Sequence, residues 1–170
     1  MGKQYHAKSK RFKRLFVLHK VSRLAHGIRA CYRYDSRVQR VINGLPEGFD
    51  ICVGILGHSH TVVITKIGDE LHCKMTDGYA AGGIYIYFKN MEGAIQVLRN
   101  RISYLQAYTQ SYIVIEGGTE RAIDFVNMLL IVQNYMATAR QRRRYLGELS
   151  EFEVPVGKIR RYAFFRGWIA

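Results

Sequence analysis

The sequence is poor in the residues that mark several protein classes. It contains two prolines and three cysteines, and the cysteines, Cys31, Cys52 and Cys73, form no CxxC pair. Three separated thiols supply neither a disulfide framework nor a zinc ribbon, and so few prolines argue against a low-complexity chain. No apolar run reaches the roughly 18 residues of a spanning helix. We therefore expect a globular protein of the cytoplasm.

Positive charge is abundant and is concentrated at the two ends of the chain. The net charge is +13, and residues 1–45 contain twelve Lys or Arg against the single acid Asp35. Residues 46–135 are slightly acidic, and residues 136–170 are again basic. Such ends attract polyanions, whether anionic lipid head groups or nucleic-acid phosphates, and charge alone does not separate these partners. The residues predicted to bind an anionic surface are Lys10, Arg11, Lys13, Arg14, Arg142, Arg143 and Arg144.

The first 45 residues are predicted to form a loose basic arm and then helices. Residues 3–14 indicate the arm, and apolar residues recur at helical spacing from Val17 to Tyr32. The basic residues that fall mostly away from this apolar stripe are Lys20, Arg23, Arg29 and Arg33. The pattern favours an amphipathic helix that docks on the core over one that lies in a membrane surface. A second short helix is predicted over Ser36–Ile42.

Short β-rich runs in the middle of the chain predict a sheet of five strands. The runs are residues 50–56, 61–67, 70–75, 84–88 and 112–116. The first three form an antiparallel meander, with Gly68-Asp69 as a tight turn. Helices are predicted after Asn90 and after Gly118, with Asn90 and Thr119 as their caps. The second of these helices is apolar almost all round, so it is either buried on several sides or lines an apolar cavity.

Two glycines, Gly117-Gly118, join the last strand to this helix and raise the question of a phosphate-binding turn. Neither G-x-G-x-x-G nor G-x-x-x-x-G-K-[ST] is present, and Glu116 and Glu120 would repel a phosphate. We interpret the glycines as a turn with positive φ.

Metal and catalytic chemistry have weak signals in the sequence. His58 and His60 could share a metal with His72 and Cys73, but two histidines without a spaced carboxylate make a poor site. No G-x-S-x-G elbow is present. We expect no metal, no cofactor and no enzymatic activity.

Residues 49–137 resemble the sterol-carrier-protein-2 (SCP-2) lipid-transfer domain. The stretch that carries the resemblance is GIYIYFKNMEGAIQVLRNRISYLQAYTQSYIVIEGGTERAIDFVNMLL. Its matching positions are a helix cap, a small–aromatic pair, two alternating strand residues and a closing glycine: Asn90, Ala107-Tyr108, Ile113, Ile115 and Gly117. Asn100 and Ser111 stand where that family commonly has glycines, and Gly118 replaces a common Asp or Asn.

The resemblance implies an α+β (α/β) fold: a five-stranded mixed, mostly antiparallel sheet, with helices on one face enclosing an apolar tunnel. The expected wall of this lipid cavity is Met91, Ile95, Leu98, Ile102, Leu105, Phe125, Met128, Leu129 and Val132. The alternative is that these residues pack solidly as an ordinary core. The expected divisions are a basic arm and helix (1–45), the SCP-2-like domain (46–139) and a basic, aromatic extension (140–170).

The sequence thus predicts non-catalytic binding or transfer of a lipid or fatty-acyl ligand, with basic ends that favour anionic membranes. The C-terminal extension is expected to dock on the body or to form a homodimer. One alternative is a nucleic-acid-binding protein that uses both basic ends, although no RNP, KH or helix-turn-helix signature is visible. Another is an accessory or scaffold protein with a filled core.

Overall fold

The structure is a computed structural model that describes residues 2–58, 60–77, 83–117, 121–147 and 151–165, with side chains from Phe12 onward. The helices in these ranges are α1 (Gly2–Tyr34), α2 (Ser36–Asn43), α3 (Met91–Leu98), α4 (Tyr104–Thr109), α5 (Ala122–Met136), the three-residue α6 (Ala139–Gln141) and α7 (Val156–Phe165). The strands are β1 (Asp50–Ile55), β2 (His60–Ile67), β3 (Glu70–Asp77), β4 (Ile84–Phe88) and β5 (Ile113–Glu116). A π-helical turn, Arg142–Leu146, follows α6.

The strands form one mixed sheet in the order β3-β2-β1-β4-β5. β1 and β4 are parallel, and the other three neighbouring pairs are antiparallel. The predicted α+β fold with a mostly antiparallel five-stranded sheet is therefore confirmed. The tight turn of the meander is also confirmed, since Ile67 pairs with Glu70 and Gly68 has φ +56.

The helices pack on one face of the sheet. Side chains alternate between the two faces of a strand, and in β4 Ile84, Ile86 and Phe88 belong to the same buried cluster as α1, α3 and α5. Tyr85 and Tyr87 lie on the opposite face, where their rings stack with centroids 5.7 Å apart. The alternation of residues in this strand predicts such a division, with Ile84, Ile86 and Phe88 on one face and Tyr85 and Tyr87 on the other, and the structure confirms it.

Helix α1 is longer than predicted, because the expected loose arm at residues 3–14 is helical. No proline occurs in residues 1–45, and no glycine lies between Gly2 and Gly27. The Lys, Arg, Ala and Leu residues of this segment favour a helix. An ion pair between Lys13 and Glu92, 3.0 Å long, also ties its early turns to α3.

The helical segment after β4 is confirmed, but it is interrupted. Asn90 caps α3 as predicted, since its Oδ1 accepts a hydrogen bond from the Gly93 amide at 2.7 Å. The helical spacing of apolar residues continues through Ile102, Leu105 and Tyr108, as one longer helix would require. Instead the chain breaks after α3, and Ser103 caps a separate α4 by accepting from the Gln106 amide at 3.0 Å.

Two residues in left-handed conformation shape this region. Asn100 has φ +56 and Ser111 has φ +58, and they are the non-glycine residues with positive φ in the ranges given above. This conformation is one for which glycine is suited, and asparagine and serine adopt it at a cost.

The turn before α5 depends on Gly117. Its φ is +90, as the turn interpretation predicted, and a Cβ atom there would clash with the carbonyl oxygen of Gly83. The predicted contributions of Gly118 and of the Thr119 cap lie outside the described residues.

The C-terminal extension docks on the body through α7. Ile159 and Ala163 are buried against the core formed with α1 and α5. Arg160 extends from α7 to donate hydrogen bonds to the carbonyl oxygens of Tyr135, at 2.9 Å, and of Ala137. Docking of the tail is thus confirmed for this helix, and the homodimer stays a prediction. Trp168 lies outside the described residues.

Candidate functional site

The residues predicted to line a lipid cavity differ widely in exposure. Those on α5, namely Phe125, Met128, Leu129 and Val132, have no exposed surface. Leu98 is buried, while Met91, Ile95 and Ile102 pack at the edge of the core. Leu105 is 41% exposed. Most of the set therefore belongs to the layer between sheet and helices, and its role as a ligand wall stays a prediction.

A pocket of about 80 Å³ opens between α1 and the helices α3, α4 and α5. It is lined by Lys20, Arg23, Leu24, Val97, Leu98, Asn100, Tyr104, Gln133 and Met136. Leu24, Val97 and Leu98 are the buried apolar members of this set, and Tyr104 and Gln133 are buried members that carry polar groups. Lys20 and Arg23 are partly exposed. The pocket thus places two cations above apolar side chains at the edge of the core.

A third cation, Arg99 at the end of α3, does not line this pocket but lies close enough to Lys20 to lower its pKa. We call Lys20, Arg23 and Arg99 the cationic rim. The ring of Phe16 lies between two of these charges, with its centroid 5.6 Å from Lys20 Nζ and 4.8 Å from the guanidinium carbon of Arg99. The guanidinium of Arg23 covers the ring of Phe164 at 3.7 Å. Aromatic faces hold cations in place without neutralising them.

Within the described residues, no acid balances the charge of this rim. Among the ion pairs of the described side chains, none includes Lys20, Arg23 or Arg99. Burial lowers the pKa of Lys20, and the positive charges of Arg23 and Arg99 lower it further. Three like charges held together without a counterion attract an anion, because an anion relieves their mutual repulsion.

The base of the pocket is built by a buried amide. Gln133 Nε2 donates to the carbonyl oxygens of Val97, at 3.2 Å, and Ile102, at 3.0 Å, while its Oε1 accepts from the Tyr104 amide at 3.1 Å. These bonds hold the break between α3 and α4 against α5. Burial raises the pKa of Tyr104, so its hydroxyl stays protonated.

The predicted anionic-surface residues at the C-terminal end have unequal roles. Arg142 donates to the Ala137 carbonyl oxygen at 2.8 Å and so helps to satisfy the end of α5. Arg143 and Arg144 are exposed, and the guanidinium of Arg144 lies 5.3 Å from the Tyr145 ring centroid. Arg144 thus remains accessible to a surface, while Arg142 serves the fold.

The N-terminal residues of that set lie on α1. Lys13 is exposed despite its ion pair, and Arg14 is partly exposed. The side chains of Lys10 and Arg11 lie outside the described part. Two large apolar residues beside them are also exposed, Phe12 by 69% and Leu15 by 58%. Basic and apolar side chains therefore occur together at the start of this helix.

The histidine pair does not form a site with the neighbouring strand. His60 Nδ1 pairs with Asp77 across β2 and β3, His58 is exposed, and His72 lies 3.8 Å from Glu70. Within the described ranges, no three His, Cys, Asp or Glu residues converge as metal ligands. In the same ranges, no helix is both long and apolar enough to cross a membrane.

Sequence reasoning missed the cationic rim. The helical pattern assigned Lys20 and Arg23 to a basic outer face, but both are partly buried beside aromatic rings. Periodicity within one helix cannot show that Arg99, distant in sequence, arrives at the same place. The available signal was the interruption of the apolar pattern at residues 99–101, where two arginines flank Asn100.

Comparison with known proteins gives a single kind of likeness. No protein-family model matches the sequence, and no curated protein matches it. Among solved structures, the chain is similar to one titled "UbiJ-SCP2 Ubiquinone synthesis protein", with 13% sequence identity and a TM-score of 0.41. The alignment covers 61% of this chain and 82% of that one. A similarity of this size does not reveal what this chain binds, so function has to follow from the site itself.

Proposed function

We propose that this protein binds an amphiphile with an acidic head group, such as a fatty acid, at the pocket between α1 and α3–α5. The observation that carries the proposal is the cationic rim of Lys20, Arg23 and Arg99, which has no acidic partner among the described side chains. Lys20 and Arg23 line the pocket together with the buried apolar residues Leu24, Val97 and Leu98. A carboxylate or phosphate would neutralise the rim, and the adjoining methylene groups would contact Leu24 and Leu98. This division matches the two halves of such a ligand.

The size of the pocket sets how the ligand enters. About 80 Å³ holds roughly three water-sized groups, so it accommodates a head group and the first carbons of a chain. A longer chain has to displace floor residues toward the sheet, and Met136 is suited to this because its unbranched side chain adapts its shape. Ligand uptake would then extend the pocket along α5, where the predicted wall residues Met128 and Val132 lie.

The start of α1 would bring the protein to the source of such a ligand. Exposed Phe12 and Leu15 can enter the interfacial region of a bilayer, while Lys13 and Arg14 contact anionic head groups. Lys20 and Arg23 of the pocket lie on the same helix, two turns farther along. The arrangement therefore suits a binding protein that collects an acidic amphiphile at a membrane surface.

The direct test is ligand binding by the purified full chain. Native mass spectrometry would detect a lipid that co-purifies, and titration with a fluorescent fatty acid would give the affinity. We expect the double variant Lys20→Gln/Arg23→Gln to bind at least tenfold more weakly. The matched control Lys89→Gln/Arg101→Gln removes the same charge from exposed positions outside the pocket and should bind as the wild type does.

Two further measurements separate this proposal from its rivals. The methyl ester of the same fatty acid has no charge, so it should bind weakly to the wild type. Its affinity should equal that of the acid for the variant Lys20→Gln/Arg23→Gln. Equal binding of acid and ester would refute the role of the cations, and the absence of any uptake would refute the function. The nucleic-acid alternative instead predicts oligonucleotide binding with a steep salt dependence, lost on deleting residues 1–14 and 140–144.

A further inference from the structure

A second and larger cavity lies on the surface between the C-terminal half of α1, α2, the turn between β2 and β3, and α7. Its volume is about 570 Å³, which falls within the roughly 300–1,000 Å³ of small-molecule sites. It shares no lining residue with the pocket discussed above. We call it the α1–α2 groove.

The groove carries opposite charges on different walls. Arg29 and Arg33, one turn apart on α1, supply the positive wall, and Asp69 and Glu70 at the β2–β3 turn supply the negative one. No ion pair of the described side chains joins the two walls. The guanidinium of Arg33 instead lies 5.6 Å from the centroid of the Tyr162 ring. The arginines and the acids of the groove therefore do not pair with one another, and Glu70 lies 3.8 Å from His72.

Polar groups between these walls add hydrogen-bond donors. Tyr32 Oη donates to Asn43 Oδ1 at 2.8 Å, which leaves the amide NH₂ of Asn43 as a donor. Burial raises the pKa of Tyr32, and the negative charges of Asp69 and Glu47 raise it further. The hydroxyl therefore stays protonated and keeps the Asn43 amide in this orientation.

We propose that the α1–α2 groove binds a small zwitterion whose acidic group contacts Arg29 and Arg33 and whose amine contacts Asp69 and Glu70. The arginines attract a simple anion, but the acidic wall repels it. The acidic wall attracts a simple cation, but the arginines repel it. A molecule that carries both charges gains from both walls at once. The class is thus a phosphate or carboxylate joined to an amine by a short linker.

The same chemistry occurs in a soluble metabolite and in a lipid head group, and one probe set distinguishes them. Glycerophosphoethanolamine presents the free zwitterion, and vesicles of phosphatidylethanolamine present it on a membrane. Glycerol 3-phosphate and ethanolamine present the two halves separately. We expect the zwitterion, in at least one of its two forms, to bind at least tenfold more tightly than either half, measured by calorimetry or vesicle co-sedimentation.

Variants locate the site. Arg29→Gln and Asp69→Asn should each weaken zwitterion binding about tenfold, and asparagine suits the position after Gly68 in a tight turn, so the hairpin is retained. The exposed controls Arg40→Gln and Glu116→Gln should bind as the wild type does. If the groove variants lose binding only to the soluble form, or only to the vesicles, the form concerned identifies the source of the ligand. Either result supports the groove.

Three results would overturn the proposal: no saturable binding in either form, halves that bind as tightly as the zwitterion, or binding that survives both groove variants. The proposal is independent of the acidic amphiphile. Lys20→Gln/Arg23→Gln should lose fatty-acid binding and keep zwitterion binding, and Arg29→Gln should do the opposite. Loss of zwitterion binding in the Lys20/Arg23 variant would also count against the groove.

Discussion

Tyr135 Oη donates a 2.9 Å hydrogen bond to Oδ2 of Asp35, and this bond joins the end of α5 to the start of α2. Asp35 is fully buried and caps α2, where its Oδ1 accepts the Arg37 amide at 3.1 Å. The Arg37 side chain adds an ion pair of 2.7 Å. One carboxylate therefore fixes three separate contacts in the layer of helices.

Tyr135→Phe should destabilise the protein by about 1–2 kcal/mol, because it leaves a buried carboxylate with one donor fewer. The change is measured as the free energy of unfolding in urea. Tyr145→Phe is the matched control, since Tyr145 is 39% exposed and its hydroxyl is not in this network. Equal stability of the two variants would show that the bond contributes nothing.

The stability of the protein should depend on pH through Asp35. Burial raises the pKa of this carboxyl, but hydrogen bonds from Arg37 and Tyr135 outweigh it and hold the pKa below its usual value. A lowered pKa in the folded state contributes stability above the unfolded value of about 3.9 and loses it as the pH falls through the folded one. Asp35→Asn should thus be less stable than the wild type at pH 7 by about 2 kcal/mol. The difference should shrink in urea titrations below pH 4, and a constant difference would contradict the assignment.

Gly117→Ala should destabilise the protein by about 3 kcal/mol or more, because the new Cβ meets the Gly83 carbonyl and the residue keeps a positive φ. Gly68→Ala separates the two causes, since Gly68 also has positive φ but nothing lies near its Cβ position. That variant should lose about 1 kcal/mol. Thermal and urea unfolding measure the stability of both variants. Equal losses of stability would show that the contact with the Gly83 carbonyl contributes nothing.

Ser111→Gly should stabilise the protein by about 0.5–1 kcal/mol. The substitution relieves the strain of the left-handed conformation, but the greater entropy of glycine in the unfolded chain offsets part of this gain. Asn100→Gly should gain less, because asparagine tolerates this conformation better than serine does. Urea midpoints measure both changes. A loss of stability in Ser111→Gly would mean that the serine side chain makes a contact worth more than the strain.

Phe12→Ala/Leu15→Ala should weaken binding to anionic vesicles at least fivefold, because the two side chains supply the apolar part of the interfacial contact. Ile123→Ala is the control, since Ile123 is 54% exposed on α5, away from the basic start of α1. Co-sedimentation with vesicles containing an acidic phospholipid provides the measurement. Unchanged binding would restrict the membrane contact to charge alone.

Local patterns determined much of this fold. The alternating residues of β4 and the turn at Gly68 predicted a strand with two different faces and a hairpin, because side-chain direction in a strand depends on adjacent residues alone. The Asn90 cap is likewise a bond within one helical turn. The positive φ of Gly117 followed from the strand–glycine–helix order. Each of these features rests on interactions between residues close in sequence.

Other local patterns were insufficient. The helical spacing of apolar residues continues through Ile102, Leu105 and Tyr108 without a sign of a break. The break between α3 and α4 is held by Gln133, which is distant in sequence. The basic residues at positions 3–14 indicated a loose arm, although no residue there prevents a helix. The Lys and Arg residues of this segment favour a helix, so a high density of positive charge does not by itself indicate a loose arm.

The candidate sites depended on tertiary structure still more. The apolar layer over the sheet and the excess of positive charge at both ends were predicted from periodicity and composition, and the class of fold was predicted through the resemblance to a known family. Only the folded chain brought Arg99 beside Lys20 and Arg23, and only it placed Arg29 and Asp69 in one groove. Such clusters arise where helices cross and turns approach them, and the distances between distant residues are set by packing.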